Sequence, residues 1–221
     1  MSKSARKHMI EAQIARRGIC DRNILAAMAA VPREDFVEPG FEKYAYDDRA
    51  LPIAEGQTIS QPYIVAVMLD AARLGCDDRV LEVGTGSGYS AAILSRLVAE
   101  VFAIERHANL TETARARCRI LGYHNIHFRT GDGTRGWLEA APFEAILTTA
   151  AAPEPPASLK QQLALGGRLI IPIGENPEQR LIRVTRRDAI NFEREDLGGV
   201  HFVPLIGAEG WSEAASDRHK P

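Results

Sequence analysis

The stretch Val80-Leu81-Glu82-Val83-Gly84-Thr85-Gly86-Ser87-Gly88-Tyr89 decides how the rest of the chain is read. It opens as a short β-forming run carrying one acid, then places three glycines within five residues. Residues 90–97 follow with the composition of a helix. Strand, glycine loop and helix in that order lay out a nucleotide-type ligand site. Glycine tolerates positive φ, and without a Cβ the backbone comes close to a ligand at the helix start.

The spacing sharpens this. The dinucleotide fingerprint G-x-G-x-x-G needs glycine at position 89, where tyrosine stands. Gly84, Gly86 and Gly88 give G-x-G-x-G, with Glu82 just ahead. This resembles the first motif of S-adenosylmethionine-dependent methyltransferases, whose ligand carries a positive sulfonium and amine and no pyrophosphate. A second acid, Glu105, ends the apolar residues 101–104, 21 positions beyond Gly84. A carboxylate there can accept hydrogen bonds from both ribose hydroxyls. A third, in Gly131-Asp132-Gly133, follows the strand-like residues 126–129 and could meet an adenine edge. Each acid alone also fits a helix cap; the three in this order point to a cofactor site.

A chain of 221 residues fits one domain with at most a small cap. Its 45% hydrophobic and 25% charged content is that of an ordinary globular protein. The formal net charge of -2, with no long basic run, argues against a phosphate-tracking nucleic-acid binder. Cys20, Cys76 and Cys118 are odd in number and far apart, as for reduced thiols in a reducing compartment. His124 and His127 have no further ligand beside them, so no metal site is expected. Neither a signal-peptide pattern nor a membrane-spanning run of about 20 apolar residues is present, and a cytoplasmic location is expected.

From the amino end, residues 4–17 read as a helix stopped by Gly18, and Asp21 as the N-cap of a second helix ending before Pro32. Residues 36–53 are irregular, with Phe41, Tyr44 and Tyr46 anchoring a loop or lining a surface. Pro62 suits the first turn of a helix, which Ser60 or Gln61 would cap; the same hydroxyl could instead face an anion. From residue 79 strands and helices alternate: strands at 79–83, 101–105, 125–129, 143–149 and 168–173, helices at 88–98, 108–121 and 156–165. Residues 180–185 and 200–205 are two further strands joined by a polar segment. The alternation specifies an α/β, doubly wound, mostly parallel sheet with ligands at its strands' carboxyl ends. Residues 1–60 form an N-terminal helical prelude or substrate cap, 61–207 the cofactor-binding domain, and 208–221 a polar tail.

The chain is similar to the protein-L-isoaspartate O-methyltransferases in their bacterial form. The matching pieces are Val31-Pro32-Arg33 with Phe36-Val37, Gly56-Gln57-Thr58-Ile59-Ser60-Gln61-Pro62-Tyr63, the glycine motif, and Gly131-Asp132-Gly133 with Trp137. Ala150-Ala151-Ala152-Pro153 and Phe202-Val203-Pro204-Leu205 complete them, over roughly residues 5–207. The resemblance implies a seven-stranded class I (Rossmann-like) methyltransferase that binds S-adenosylmethionine, releases S-adenosylhomocysteine and needs no metal. It implies methylation of the free α-carboxylate at L-isoaspartyl residues of damaged proteins and peptides, with D-aspartyl residues as candidate further acceptors and repair through a succinimide. Ser60 would be the catalytic residue. Gln57, Thr58, Ile59 and Ser60, then Glu82, Gly84, Thr85, Gly86, Ser87 and Gly88, and finally Glu105, Arg106, Asp132 and Gly133 would hold the cofactor. Ser60, Ala150, Ala151, Ala152, Pro153, Val203, Pro204 and Leu205 would hold the substrate.

The chemistry needs little else. A carboxylate with a pKa of about 4 is already a nucleophile at neutral pH, so no general base is required. The expected partners are isoaspartyl proteins and peptides, with no nucleic acid or membrane, and the expected state is a monomer. The alternatives are a methyltransferase acting on a biosynthetic peptide aspartate, a small molecule or RNA, and a cofactor-binding sensor without transfer activity.

Overall fold

A computed structural model describes residues 2–216. Helix α1 (Ser2–His8) widens into a π-helical turn, Met9–Ile14, and tightens into a 3-10 turn, Ala15–Arg17, before Gly18 stops it at φ 103°. Helix α2 (Arg22–Ala30) starts as its cap dictates: Asp21 Oδ1 accepts from the N–H groups of Asn23 (2.7 Å) and Ile24 (3.1 Å). The aromatic stretch folds as two 3-10 turns, Arg33–Phe36 and Glu42–Tyr44. Phe36 is buried 5.6 Å from the Tyr89 ring and Tyr46 is also buried, so these rings anchor the loop. A hairpin of β1 (Leu51–Pro52) and β2 (Thr58–Ile59) leads into α3 (Pro62–Ala72), with Pro62 in the first turn.

The alternating units then run β3 (Arg79–Val83), α4 (Tyr89–Leu94), β4 (Glu100–Glu105), α5 (Ala108–Ile120) and β5 (Ile126–Thr130). They continue with β6 (Phe143–Thr148), α6 (Ala157–Gln161), β7 (Leu163–Ile173), β8 (Arg180–Arg186) and β9 (Phe192–Gly199). The seven-stranded sheet has the order β5-β4-β3-β6-β7-β8-β9. Its first five strands are parallel, and β8 and β9 turn back antiparallel. From β3 the chain steps outward to β5 and then returns to the other side of β3 as β6. The carboxyl ends of β3 and β6 therefore flank the switch point, where open α/β sheets bind ligands.

Successive residues of β3 point to opposite faces, and each face has its own apolar layer. Val80 joins Met9, Ile14, Met28 and Leu69, while Leu81 and Val83 join Phe102, Ile104 and Ile146. The prelude thus shares one core with the sheet. Met9, Ile14 and Met28 are all 0% exposed, and uncovering each costs about 1.5–3 kcal/mol, so the prelude cannot lift off as a free cap.

Several elements differ from the sequence reading: the helix expected at 156–165 spans only Ala157–Gln161, and β7 already begins at Leu163, where the sequence reading still places helix. Helix α4 ends at Leu94 because Asn125 Nδ2 donates to the carbonyls of Ser95 (3.0 Å), Val98 (3.2 Å) and Ala99 (3.1 Å), which ends the helical run in a turn. The seventh strand is Phe192–Gly199, inside the expected polar connection, and residues 200–205 are not a strand of the sheet. β9 lacks an apolar alternation because it is an edge strand held across to β8 by ion pairs, Arg180 to Asp196 (2.9 Å) and Arg183 to Glu195. The apolar residues 200–205 are instead tied by a glutamine side chain and by Ala151, as described below.

Candidate active site

β3 ends at Val83, and the next residues leave the sheet through Gly84 (φ 91°) and Gly86 (φ 53°). Gly84 N–H donates to Ile104 C=O at 2.8 Å, which fixes the loop across the ends of β3 and β4. A Cβ on Gly84 would stand 2.4 Å from Thr149 Oγ1, which donates to Gly84 C=O at 2.5 Å. Only glycine fits there. Glu105 ties the loop to α5: Oε2 accepts from Gly86 N–H and Oε1 from His107 N–H, both at 3.0 Å. Arg117 donates to Ser87 C=O at 2.7 Å. Gly88 serves packing: a Cβ there would lie 3.2 Å from that of Ala114 and 3.3 Å from Cys118 Sγ.

Glu82 sits in β3, fully buried, and neither carboxylate oxygen has a hydrogen-bond partner among the described residues. Burial pushes its pKa up to about 8, with the Ser90 hydroxyl opposing and the Glu105 charge adding to the shift. The buried Thr85 Oγ1 beside it is likewise without a partner. Orphaned buried polar atoms cost free energy, so this cluster fits a polar, cationic ligand group.

Three recesses meet here. The first, about 550 Å³ of open volume, is lined by Glu105, Arg106 and His107 and by Leu205 and Ile206. Gln57, Gly84, Gly133 and Ala150 complete its sides, along with Val203 and Pro204. The second lies deeper, with Ile59, Ser60, Glu82, Thr85 and Ser87 on its wall. The third is a groove of about 1040 Å³ that opens outward past Ser60 and residues 200–203. Thr58 and Thr149 line all three. Thr149 carries no motif signal beyond its place after β6, and only the fold reveals it.

Ser60 does not cap α3: the N-cap is Gln61, no side chain caps the helix, and Gln61 Nε2 instead donates to Asp48 C=O at 3.1 Å. Ser60 lines both the deep recess and the groove.

Asp132 is placed differently from Glu105. Oδ1 accepts from Thr134 N–H (2.9 Å) and Oγ1 (2.7 Å), and Oδ2 accepts from Ala208 N–H (2.8 Å). Partial burial raises its pKa, but the bonds from Ala208 and Thr134 outweigh this and hold it below the usual carboxylate range. Asp132 therefore secures residues 207–209 beneath the first recess, while Gly133 forms part of its wall. The tail is folded through residue 216: Trp211 Nε1 donates to Ala151 C=O at 3.0 Å, and a short helix, Glu213–Ser216, brings Glu213 Oε1 to accept from Arg106 Nη2 at 2.6 Å. Positions 217–221 lie outside the described residues.

Ala151 and Ala152 are buried, and their backbone groups are taken. Ala151 N–H donates to Val203 C=O (2.8 Å), Leu205 N–H donates to Ala151 C=O (2.7 Å), and Ala152 N–H donates to Pro172 C=O (3.0 Å). Ala150 reaches the first recess; Pro153 and Gly88 line none of the three. Among the described residues no group of three or more His, Cys, Asp or Glu is placed to hold a metal. No helix among them is long and apolar enough to cross a membrane.

A glycine loop and two acids at the switch point of this sheet define a class I S-adenosylmethionine-dependent methyltransferase fold. Residues 3–210 match the family described as protein-L-isoaspartate(D-aspartate) O-methyltransferase. The chain is 52% identical over 210 residues to a protein-L-isoaspartate O-methyltransferase of Brucella anthropi, covering 95% of this chain and 96% of that one. It is 53% identical over 209 residues to one from Protochlamydia amoebophila, covering 94% and 100%. A solved protein-L-isoaspartate O-methyltransferase superposes with a TM-score of 0.85 at 29% identity, over 93% of this chain and 67% of that one. A Plasmodium falciparum protein described by the same activity, in complex with S-adenosyl-L-homocysteine, superposes at 0.79 with 27% identity, over 91% and 98%. The chain belongs to the protein-L-isoaspartate(D-aspartate) O-methyltransferase family.

Proposed function

We propose that this chain transfers a methyl group from S-adenosylmethionine to the free α-carboxylate of L-isoaspartyl residues in damaged proteins and peptides, with D-aspartyl residues as further acceptors. The observation that carries the reading is the shared wall. Thr58 and Thr149 border both the recess with Glu105 and the groove with Ser60, so donor and acceptor sites open onto each other. Bound S-adenosylmethionine supplies a methyl on a sulfonium and leaves as S-adenosylhomocysteine.

The chain's own residues have the following roles. Glu82 faces the cationic end of the cofactor, with Thr85, Ser87 and residues 57–60 around it. Glu105 takes the ribose hydroxyls and Arg106 flanks them. Gly84, Gly86 and Gly133 allow close approach, while Gly88 and Asp132 act through packing and through residues 207–209. Ser60 aims the acceptor carboxylate by a hydrogen bond. Ala150, Val203, Pro204 and Leu205 wall the acceptor side, and Ala151, Ala152 and Pro153 support them from behind. No base is needed, because the carboxylate is ionised at neutral pH. Alignment alone is worth about 7–11 kcal/mol of barrier.

In this reading residues 1–60 form the substrate-side cover, 61–207 the catalytic unit and 208–221 a tail. The protein works as a monomer in the cytoplasm, without nucleic-acid or membrane partners. Three unbridged cysteines, a net charge of -2 and exposed large apolar side chains on separate elements support this. The test is transfer of labelled methyl to matched isoaspartyl and aspartyl peptides. Base-labile label on the isoaspartyl peptide alone is the expected result. Cofactor binding with no label on either peptide overturns the reading in favour of another acceptor or a sensor.

A further inference from the structure

The groove beside Ser60 is bounded by residues 200–203, which belong to no strand of the sheet yet run along its end. A free loop in that place would be a poor wall for a peptide. Here it is held by Gln179, only 4% exposed and immediately before β8. Gln179 Oε1 accepts from Phe202 N–H at 2.7 Å, and Gln179 Nε2 donates to Phe202 C=O at 3.0 Å. The Gln179 backbone carbonyl accepts from Val200 N–H at 3.0 Å. One glutamine thus stands in for a neighbouring strand, offering a donor and an acceptor in the pattern a strand would offer.

The other edge of the same segment is open. Among the described residues no hydrogen bond reaches His201 N–H or C=O, or Val203 N–H. Further along, Val203 C=O accepts from Ala151 N–H, which sets where the free edge begins relative to the strand ends. Exposed backbone of this kind takes up an extended peptide by adding it as a strand, provided the edge is rigid. Phe202 supplies the rest of the rigidity by burying its ring in the core.

We propose that Gln179 is a positioning residue for the peptide substrate: it fixes residues 200–203 as the wall along which the chain flanking the isoaspartyl residue lies. This rests on the isoaspartyl reading above. Gln179 does not touch the reacting atoms, and it acts on the acceptor side alone.

The variant Gln179→Met keeps the side chain's length and removes its amide. The expected result is a rise of about tenfold in the KM for an isoaspartyl peptide, with kcat at saturating peptide within about twofold and the Kd for S-adenosylhomocysteine unchanged. Gln179→Glu keeps the acceptor for Phe202 N–H but loses the donor, and falls between the two. An unchanged peptide KM in Gln179→Met overturns the proposal, as does a parallel loss of cofactor affinity, which would mark general loosening. A wild-type protein inactive on the peptide overturns this proposal and the functional reading together; an active wild type with an unaltered variant overturns this one alone. Should Gln179→Met fail to fold, amide hydrogen exchange on the wild type decides. The Phe202 amide is expected to be protected without ligand, and the His201 amide to gain protection only with isoaspartyl peptide and S-adenosylhomocysteine present. A His201 amide that stays fast at saturating peptide overturns the proposal.

Discussion

Replacing Glu82 by glutamine separates the charge of this buried side chain from its shape. With its pKa pushed up to about 8, Glu82 is mostly protonated at pH 7 in the ligand-free protein. A cationic ligand group selects the ionised form, so the apparent affinity carries the cost of removing that proton, a factor of about ten at pH 7 that vanishes by about pH 9. Calorimetric titration with S-adenosylmethionine from pH 6 to pH 9 should therefore show tightening with pH in the wild type. The ligand's own α-amine titrates near 7.7–8.0 in both proteins, so the reading is the difference between wild type and Glu82→Gln. At pH 9 the variant should bind about 10- to 150-fold more weakly, the worth of a charge-assisted hydrogen bond of about 1.5–3 kcal/mol. Stability moves the other way. A folded pKa raised from 4.5 means that the contribution of neutral Glu82 is complete below pH 4.5 and is lost as pH climbs to about 8. Ligand-free Glu82→Gln should gain up to about 3 kcal/mol relative to wild type at pH 7, and little at pH 4. Identical pH dependence of binding in the two proteins would refute the assignment of Glu82 to the cationic end of the cofactor.

Three further outcomes are expected. Ser60→Ala should lower turnover on an isoaspartyl peptide while leaving the Kd for S-adenosylhomocysteine nearly unchanged; equal turnover in the two proteins removes Ser60 from the chemistry. Gly84→Ala forces a Cβ to within 2.4 Å of Thr149 Oγ1 at φ 91°, so it should cost about 2 kcal/mol or more, lower Tm by about 4–8 °C and abolish cofactor binding. Asp132→Asn should lose about 1–2 kcal/mol by weakening the bonds to Ala208 and Thr134. Because the Asp132 pKa is depressed, the gap to wild type should hold above pH 3.8 and close as pH falls through the folded value, as followed by urea melts across that range.

The central strands were legible because β3, β4 and β6 are buried on both faces and read as apolar runs ended by glycine, glutamate or threonine. β9 was not, since an exposed edge strand paired through charges has no apolar period, while residues 200–205 mimic a strand in composition and are held by Gln179 instead. Glu82 and Glu105 could be placed from their positions relative to the glycine loop. Asp132 could not be separated from them, because its role depends on Ala208, 76 residues away in the chain. For Ser60 the choice between helix cap and ligand contact turned on whether α3 starts at Pro62 or one residue earlier, a difference of one residue that composition does not resolve. Thr149 and Gln179 are single polar residues outside any motif, and only their partners reveal what they do.

The charged edge of the sheet bears on how such a protein coexists with its clients. Damaged polypeptides expose unpaired segments that seek a partner strand, and the open side of β9 offers backbone of that kind. It also carries Glu193, Arg194, Glu195 and Asp196 in succession, all exposed. A strand pairing there would have to desolvate four consecutive charges, so this edge resists strand addition. The free edge of the sheet is thus guarded by charge against serving as a template for a further strand.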